Sequence, residues 1–320
     1  MSSKKNILVT GGAGFIGSNL VETLLQDSRV NKLRVLDNLS TGFKQNLEAF
    51  IDHDRFEFIE GDISDFETCV KATQDIDLIS HQAALGSVPR SIKDPLHTNQ
   101  INISGTLNIF KAAIDNKVDR VVFAASSSTY GDSEGLPKVE DKIGKPLSPY
   151  AITKYVNELY AEVFSKTYQF NFIGLRYFNV FGPKQDPKGA YAAVIPLFFK
   201  AALEHASPTI NGDGSYSRDF TYIQNAVEAN VLSLFTDNAL ALNQIYNIAC
   251  GQQTSLNELW HMIKEISSTN AEAVYGPNRE GDIPHSLADI SKAAEFLNYN
   301  SSFKVDQGLK LSYDWYKSIL

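Results

Sequence analysis

The first half of the chain alternates short apolar runs with amphipathic segments. The runs NILVTG, LRVLDN, FEFIEGD, IDLISHQA, RVVFAAS and NFIGLRYF are apolar nearly throughout, as in strands that are covered on both faces. Helical patterns separate them, over residues 17–26, 66–74 and 97–116 and from residue 148 onward. Strands separated by helices of this length indicate parallel βαβ units with right-handed crossovers. The pattern therefore predicts an α/β fold with a Rossmann-type, doubly wound parallel sheet.

After Phe178 this regularity weakens. The loops GPKQDPKGAY, NGDGSYSRD and PNREGDIPH are rich in Pro, Gly and Asp, and they separate shorter helical patterns. We therefore predict a Rossmann-type domain over residues 1–178. Residues 179–320 would form mainly a smaller mixed α/β lobe for the substrate, with some segments returning to the first domain.

Composition and charge narrow the possible partners. The 320 residues carry a net charge of −8 and no Lys/Arg run, which argues against nucleic acid as a partner. The N-terminal apolar stretch is too short for a signal peptide or a membrane span. Two distant cysteines, Cys69 and Cys250, suit a reduced cytoplasmic protein. The six histidines show no ligand spacing, so we predict no metal site.

The segment VTGGAGFIGS joins the first predicted strand to the first predicted helix, and it places Gly11, Gly14 and Gly17 in a G-x-x-G-x-x-G arrangement. Glycines at these points permit a tight turn and let the helix N-terminus approach a pyrophosphate. The alternative is a glycine-rich turn without a ligand. The strand before the loop and the helix after it favour a dinucleotide site.

Two aspartates follow the next predicted strands. Asp37 ends the second strand, 20 residues past Gly17, where an acidic residue meets the adenine ribose of a dinucleotide. Its charge would repel a 2′-phosphate, so we predict NAD rather than NADP. Asp62 follows the third strand, where it could meet the adenine amino group or cap the next helix, and both interpretations stay open.

The segment SPYAITK places Tyr150 and Lys154 one helical turn apart, after a good N-cap residue and a proline at the first helical position. A cation in this place would stabilise a phenolate. The same spacing recurs at Tyr313–Lys317, so spacing alone decides nothing, and we predict a surface helix there. The first pair has a further neighbour, because Ser126 ends a predicted strand 24 residues earlier, at the sheet edge where ligands bind.

Together, TGGAGFIG, DNLSTG, SSSTYGD, PYAITK and LRYFNVFGP resemble the extended short-chain dehydrogenase/reductase family, and within it the nucleotide-sugar 4-epimerases. The resemblance runs from Asn6 to about Tyr316. It implies that Ser126, Tyr150 and Lys154 are catalytic, with Ser128 as an assisting neighbour. Tyr150 would take the proton of the sugar 4-hydroxyl while C4 gives its hydride to NAD⁺. The 4-keto sugar would then turn over and regain the hydride on its other face.

The resemblance also implies binding residues. Those for NAD would be Gly11, Gly14, Phe15, Ile16, Gly17, Asp37, Asn38, Gly42, Asp62, Ile63, Gln82, Ala83, Ala84, Asn99, Tyr150, Lys154 and Tyr177. Those for a UDP-sugar would be Gly86, Ser87, Ser126, Ser127, Asn179, Ala193, Val194, Arg218, Arg279, Asp282 and Ser286. Arg218 and Arg279 would grip the diphosphate, since arginine is a natural bidentate donor to phosphate. Ser87 could instead be a plain turn hydroxyl.

Related chemistries give alternatives to epimerisation. Sugar 4,6-dehydratases of this family carry an Asp-Glu pair after the catalytic Ser or Thr, and UDP-glucuronate decarboxylases carry a Glu in that loop. Here Ser127, Ser128 and Thr129 occupy the positions, which disfavours elimination. Another UDP-sugar oxidoreductase and a non-enzymatic NAD sensor remain as alternatives. Sensors tend to lose the Tyr or Lys that this chain keeps.

Ser286 bears on the size of the sugar. UDP-galactose 4-epimerases that exclude N-acetylated sugars carry a bulky tyrosine at the corresponding place, so the serine implies room for an acetamido group. The pattern GDIPHSLADISKAA also resembles members that prefer UDP-GlcNAc. The alternative is that Ser286 caps the following helix.

By the same resemblance, helices 97–116 and 150–168 would pair with their copies in a homodimer through a four-helix bundle.

Overall fold

The computed structural model describes residues 4–189, 192–277 and 283–320. Its strands are β1 Lys5–Thr10, β2 Val30–Asp37, β3 Phe56–Glu60, β4 Leu78–His81, β5 Arg120–Ser126, β6 Phe172–Tyr177, β7 Val180–Phe181, β8 Thr209–Asn211, β9 Ser217–Arg218, β10 Thr221–Tyr222, β11 Gln244–Ile248, β12 Thr254–Ser255 and β13 Val274–Gly276.

A seven-stranded sheet in the order β11-β6-β5-β4-β1-β2-β3 forms the centre of the molecule. All of its neighbouring strands run parallel. The strand order reverses between β1 and β4, which is where an open α/β sheet has its ligand crevice. The predicted doubly wound parallel sheet is confirmed.

Helices cover both faces of this sheet and build the second lobe. They are α1 Phe15–Gln26, α2 Phe66–Thr73, α3 Val88–Lys93, α4 Pro95–Asn99, α5 Thr106–Asp115, α6 Pro149–Tyr168, α7 Val194–Leu203, α8 Ile223–Phe235, α9 Leu256–Ser267, α10 Ser291–Leu297 and α11 Val305–Ile319. Short 3-10 turns occupy Lys44–Phe50, Ser127–Tyr130 and Ala239–Ala241.

Two helices differ from the sequence prediction in their detail. Helix α1 begins at Phe15, two residues before the predicted start. The predicted helix over residues 97–116 consists of α4, a π-helical segment Gln100–Gly105 and α5. The buried side chain of Asn102, in the π-helical segment, bonds both the N–H and the C=O of Leu85. Through these two hydrogen bonds, the π-helical segment is held against the loop that follows β4.

The second half contributes to both parts of the molecule. Strand β11 pairs with β6 at the edge of the large sheet, and α8 lies against α1 and the sheet strands. Helices α7, α9 and α11 pack on each other, with the Phe198 and Trp260 rings 5.5 Å apart and Phe199 stacked 4.7 Å from Tyr316. A domain boundary at residue 178 stays a prediction.

The described helices include none that is long and apolar enough to cross a membrane. Within the same residues, His, Cys, Asp and Glu side chains form no group of three that could hold a metal ion. Cys69 and Cys250 are both buried free thiols.

Candidate active site

A cleft of about 640 Å³ opens at the carboxyl ends of the central strands. It brings together most of the side chains and glycines that the sequence singled out. Those that line it are Gly11, Gly14, Phe15, Ile16, Gly17, Asp37, Asn38, Gly42, Ile63, Gln82, Ala83, Ala84, Gly86, Ser87, Ser126, Ser127, Ser128, Tyr150, Lys154, Tyr177, Asn179 and Ala193.

At Gly11 and Gly17 of the loop after β1, neighbouring backbone atoms leave no space for a side chain. Gly11 has a φ of +69°, and a Cβ atom there would lie 2.6 Å from the backbone nitrogen of Ala83. A Cβ atom on Gly17 would lie 2.1 Å from the carbonyl oxygen of Gly11. Only glycine permits such contacts between backbones. The loop is therefore a tight turn that brings the start of α1 to the floor of the cleft.

The N-terminus of α1 faces this cleft. Gly14 is its N-cap, and within the described residues neither a side-chain cap nor an acidic residue occupies its first turn. Unpaired N–H groups and the helix dipole favour an anion at such a place. Residues Gly14 to Gly17 all line the cleft, so this helix end fits a pyrophosphate.

Asp37 lies at the end of β2, beside the glycine loop. Its carboxylate is buried and accepts hydrogen bonds from the N–H groups of Ala13, at 2.9 Å, and Leu39, at 2.8 Å. Burial raises the pKa of Asp37, and these two hydrogen bonds oppose the rise. Asp37 lines the cleft and each of its carboxylate oxygens can accept a further hydrogen bond, which suits the two hydroxyls of an adenine ribose.

Asp62 does not cap helix α2, so that interpretation is wrong. The cap is Asp65, whose side chain accepts from the N–H of Thr68. Asp62 instead accepts from Asn38 Nδ2 at 2.7 Å and from the N–H of Ser64 at 2.7 Å. Asp62 itself does not line the cleft, but its partner Asn38 does. The predicted contact of Asp62 with adenine stays a prediction.

Helix α6 begins as the sequence predicts. Ser148 is its N-cap and accepts from the N–H of Ala151 at 3.1 Å, and Pro149 is the first helical residue. Tyr150 and Lys154 therefore lie one turn apart on the face that meets the sheet. The Lys154 Nζ atom lies 6.0 Å from the centre of the Tyr150 ring and donates to the carbonyl oxygen of Ala124 in β5 at 2.8 Å.

The serines after β5 meet this helix in the cleft. The Ser128 hydroxyl donates to the Ser126 hydroxyl at 2.8 Å. Burial raises the pKa of Tyr150, and a hydrogen bond with Ser126 opposes that rise. Burial also lowers the pKa of Lys154 to about 8, against the opposing charge of Glu158. The structure thus brings Ser126, Tyr150 and Lys154 into one corner of the cleft, where Ser126 and Lys154 are buried.

Tyr177 closes the inner wall of this corner through a buried amide network. Its hydroxyl donates to Gln82 Oε1 at 3.2 Å and accepts from Asn230 Nδ2 at 2.7 Å. Asn230 Oδ1 in turn accepts from Gln82 Nε2 at 3.0 Å. Burial raises the pKa of Tyr177 to about 12. With a donor and an acceptor both bound to its hydroxyl, the Tyr177 ring is fixed as a wall of this corner.

A second cavity of about 950 Å³ adjoins the cleft. Asn179, Gln185, Gly189 and Ala193 are among the residues that line both. Of the predicted substrate residues, Val194 and Arg218 line this second cavity. The sequence interpretation missed most of its wall, including the strand Thr209–Asn211 and the ring of Tyr216. These residues form a short strand and a loop without a motif, so their pattern gave no signal.

Several predicted residues lie elsewhere. Asn99 is exposed and does not line the cleft. Arg279 and Asp282 lie outside the described residues. Conversely, Arg90, Gln185 and Asp186 line the cleft, although the sequence interpretation did not select them.

Ser286 has a role that the sequence did not suggest. Its hydroxyl accepts from the N–H of Asp219 at 3.3 Å, and its own N–H donates to the carbonyl of Ser217 at 3.1 Å. Helix α10 begins five residues later, with Ile290 at its N-cap, so the interpretation of Ser286 as a helix cap is wrong. Ser286 lines neither cavity, and its predicted contact with the sugar stays a prediction.

The chain is similar to known proteins over nearly all its length. A family model described as the NAD-dependent epimerase/dehydratase family matches residues 7–249. A solved UDP-N-acetylglucosamine 4-epimerase from Methanobrevibacter ruminantium M1, in complex with UDP-N-acetylmuramic acid, is 39% identical, covers 100% of both chains and has a TM-score of 0.93.

Two further solved structures carry other sugars. A UDP-glucose 4-epimerase from Thermotoga maritima with UDP-glucose is 36% identical, with a TM-score of 0.91 over 98% of this chain and 99% of that chain. A UDP-glucuronic acid 4-epimerase from Bacillus cereus, in complex with UDP-glucuronic acid and NAD, is 33% identical, with a TM-score of 0.90 over 98% of this chain and 100% of that chain.

Proposed function

Because the chain belongs to the NAD-dependent epimerase/dehydratase family, we propose that it is a UDP-hexose 4-epimerase that prefers N-acetylated sugars. One observation carries the proposal. A single cleft brings Ser126, Tyr150 and Lys154 together with the glycine loop and Asp37, and a second cavity adjoins it. A dinucleotide and a nucleotide-sugar can thus meet at the tyrosine.

The family and its NAD-bound relative confirm the predicted cofactor. The residues of this chain fit it, because the α1 N-terminus suits the pyrophosphate and Asp37 suits the ribose. When bound, NAD⁺ supplies the acceptor for the hydride of the sugar C4 and, once reduced, the donor for its return. The walls around Lys154 and Tyr177 would hold its nicotinamide end.

Tyr150 is the group that accepts and returns the proton in this mechanism. A phenolate at Tyr150 would take the proton of the sugar 4-hydroxyl as C4 is oxidised, and the phenol would return it after the 4-keto sugar has turned over. Ser126 would donate a hydrogen bond to the same oxygen. Burial alone raises the pKa of Tyr150, so the phenolate depends on Ser126 and on nearby positive charge such as Lys154.

The second cavity would hold the nucleotide. Aromatic and aliphatic side chains, among them Phe181, Phe198, Tyr216 and Phe220, line it together with Arg218. An apolar pocket with one cation suits a base and its diphosphate. The backbone of the strand Thr209–Asn211 offers N–H and C=O groups to the edge of a base. By the same family resemblance, Arg279 would contact the diphosphate and Asp282 the uridine ribose.

The preference for N-acetylated sugars is supported by the UDP-N-acetylglucosamine 4-epimerase among the relatives. Small residues line the sugar end of the cleft, including Gly86, Ser87 and Ala193. Ser87 caps helix α3 by accepting from the N–H of Arg90, and it still lines the cleft. Relatives that act on UDP-glucose and UDP-glucuronic acid are the competing possibilities.

We also propose the homodimer. On α6, Ile152, Leu159 and Val163 are 49%, 43% and 56% exposed, and Leu96 on the adjacent α4 is 82% exposed. A second copy of these helices could cover this apolar face as a four-helix bundle. Val163→Glu should then convert the dimer to a monomer in sedimentation analysis.

The free, buried thiols suit the proposed cytoplasmic location.

The function is tested with purified protein and no added NAD. UDP-GlcNAc, UDP-Glc and UDP-GlcNAcA are incubated separately, and the products are resolved by NMR. We expect the 4-epimer of UDP-GlcNAc to form fastest. A 4-keto-6-deoxy product would instead identify a dehydratase, and faster turnover of UDP-Glc would contradict the sugar preference.

Ser286→Tyr tests the sugar pocket and needs a matched control. A clash with the acetamido group should lower kcat/KM for UDP-GlcNAc by about 100-fold and spare UDP-Glc. Because Ser286 also bonds the backbone of Asp219, Ser286→Ala removes the hydroxyl without adding bulk. Equal losses on both sugars, or the same loss in Ser286→Ala, would show that Ser286 acts through the Asp219 contact alone.

A further inference from the structure

A buried ion pair joins helix α6 to strand β6 behind the candidate catalytic residues. Arg176 donates to the two carboxylate oxygens of Glu158, from Nε at 2.9 Å and from a terminal nitrogen at 2.7 Å. Glu158 is 2% exposed and Arg176 is 3% exposed. This is the two-pronged geometry in which an arginine and a carboxylate bind most strongly.

The pair lies one turn from the catalytic residues. Glu158 follows Lys154 by four residues, on the same buried face of α6. Arg176 pairs in register with Ala125, next to the Ala124 carbonyl that Lys154 bonds. Two consecutive turns of α6 are therefore attached to two adjacent strands at the same level of the sheet.

Other groups keep Arg176 at this place. Its second terminal nitrogen donates to the carbonyl of Glu140 at 2.9 Å, and its guanidinium lies 4.9 Å from the centre of the Tyr130 ring. The Tyr130 hydroxyl donates to Asn247 Oδ1 at 2.6 Å. With the arginine fixed on three sides, the position of Glu158 is fixed as well.

Stability alone is a weak reason for such a pair. The cost of removing two charges from water can exceed their attraction, and apolar residues of similar size would hold the helix as well. The charge of Glu158 also acts on Lys154: burial lowers the pKa of Lys154, and the negative charge of Glu158 opposes this lowering. Two other titratable groups lie near Lys154: Tyr150 on the same helix and His81 on β4. Burial lowers the pKa of His81 to about 3, so it is neutral.

We propose that Glu158 is a positioning residue of the reaction: paired with Arg176, it fixes α6 against the sheet and holds Lys154 as an ammonium ion beside Tyr150. The proposal rests on the proposed function for its link to turnover. It predicts that the charge of Glu158, and not only its shape, sets the pH range of activity.

Glu158→Gln keeps the shape of the side chain and removes its charge. We expect the pKa of Lys154 to fall by about one unit. The alkaline limb of the kcat profile should move down by the same amount, kcat at pH 8 should fall about fivefold, and KM should change less than about threefold. Glu162→Gln is the matched control, because Glu162 is exposed on the next turn of α6 and loses the same charge. Its profile should match that of the wild type.

A second variant tests the proposal in case Glu158→Gln does not fold. Glu158→Leu with Arg176→Met removes the pair without leaving one buried charge alone, so the melting temperature should be kept. We expect the alkaline limb to move in the same direction as in Glu158→Gln. A folded double variant with wild-type kcat and an unmoved limb would overturn the proposal.

The ionisation of Lys154 can be measured without turnover. Trace labelling with acetic anhydride across pH, with mass spectrometry of the peptide that contains Lys154, reports its pKa directly. A downward shift in Glu158→Gln supports the proposal even if no UDP-sugar is epimerised, in which case the proposed function fails alone. An active enzyme whose Lys154 titrates identically in wild type and variant overturns the proposal alone.

Discussion

The chain carries the same tyrosine–lysine pair on two helices, and the local geometry of the two pairs is nearly identical. Lys154 Nζ lies 6.0 Å from the centre of the Tyr150 ring, and Lys317 Nζ lies 5.9 Å from the centre of the Tyr313 ring. Spacing four along a helix produces this alignment wherever it occurs. Local structure therefore does not distinguish a catalytic pair from an ordinary one.

The surroundings of the two pairs differ. Lys154 is 4% exposed, bonds the Ala124 carbonyl and lines the cleft. Lys317 is exposed on the last turn of α11, and Tyr313 packs its ring 6.4 Å from Phe199. The chemistry proposed for the first pair depends on its place at the carboxyl edge of the sheet, where burial shifts the pKa of both members.

The largest expected difference between the pairs is in turnover. Tyr150→Phe removes the proposed proton acceptor and should lower kcat about 1,000-fold, with NAD content and UDP-sugar binding nearly unchanged. Tyr313→Phe makes the same chemical change on α11 and should leave kcat within twofold. Steady-state kinetics with UDP-GlcNAc measures both. Turnover by Tyr150→Phe within tenfold of the wild type would remove Tyr150 from the mechanism.

Replacing the lysines should separate activity from stability. Lys154→Met should lower kcat about 100-fold and reduce the NAD that co-purifies. The folded-state pKa of Lys154 is about 8 against an ordinary value of 10.5, so its charge opposes folding at neutral pH. By linkage, Lys154→Met should stabilise the NAD-free fold at pH 7 by up to about 3 kcal/mol.

This gain should shrink as the pH rises from 8 to 10.5, because the wild-type lysine then becomes neutral in the unfolded chain as well. Urea unfolding at pH 7 and pH 10 measures it. Lys317→Met is the control, and its exposed side chain should give no such gain. A Lys154→Met protein that is less stable than the wild type at pH 7 would contradict the inference that burying the charge of Lys154 opposes folding.

Ser126 tests whether the neighbours of Tyr150 adjust its acidity. Its hydrogen bond opposes the effect of burial on the pKa of Tyr150. Ser126→Ala should therefore move the acid limb of the kcat profile to higher pH. A hydrogen bond to a charged group contributes about 2 kcal/mol, and losing that much transition-state stabilisation corresponds to about a 30-fold loss in kcat at neutral pH. An unmoved acid limb would assign Ser126 to substrate binding only.

The sequence predicted the features that depend on local pattern. The strand runs and the glycine loop give the sheet and its ligand edge, because parallel strands covered by helices leave few other arrangements. Ser148 and Pro149 give the start of α6. The resemblance to the family gives most of the cleft lining, including Tyr177 and Asn179.

What the sequence missed depends on contacts across the chain. Ser286 bonds Asp219, 67 residues away, and Glu158 bonds Arg176 on another element. The wall of the second cavity comes from short strands and loops whose residues have no shared motif. The role of Asp62 could not be decided either, because Asp62 and Asp65 both precede α2 and only the backbone geometry shows which one caps it.

The smallest expected effect concerns the far end of the cleft, where Asp37 is proposed to select the cofactor rather than to take part in the chemistry. Asp37→Asn is preferable to Asp37→Ala, because the amide oxygen can still accept one of the two backbone N–H bonds from Ala13 and Leu39. Burial raises the pKa of Asp37, so removing its charge should offset part of the cost of the backbone N–H that loses its acceptor. Without the charge, repulsion of a 2′-phosphate disappears, and affinity for NADP relative to NAD should rise about tenfold. Titration of the NAD-free protein with each dinucleotide measures the ratio. A wild type that already binds NADP as tightly as NAD would show that Asp37 does not select the cofactor.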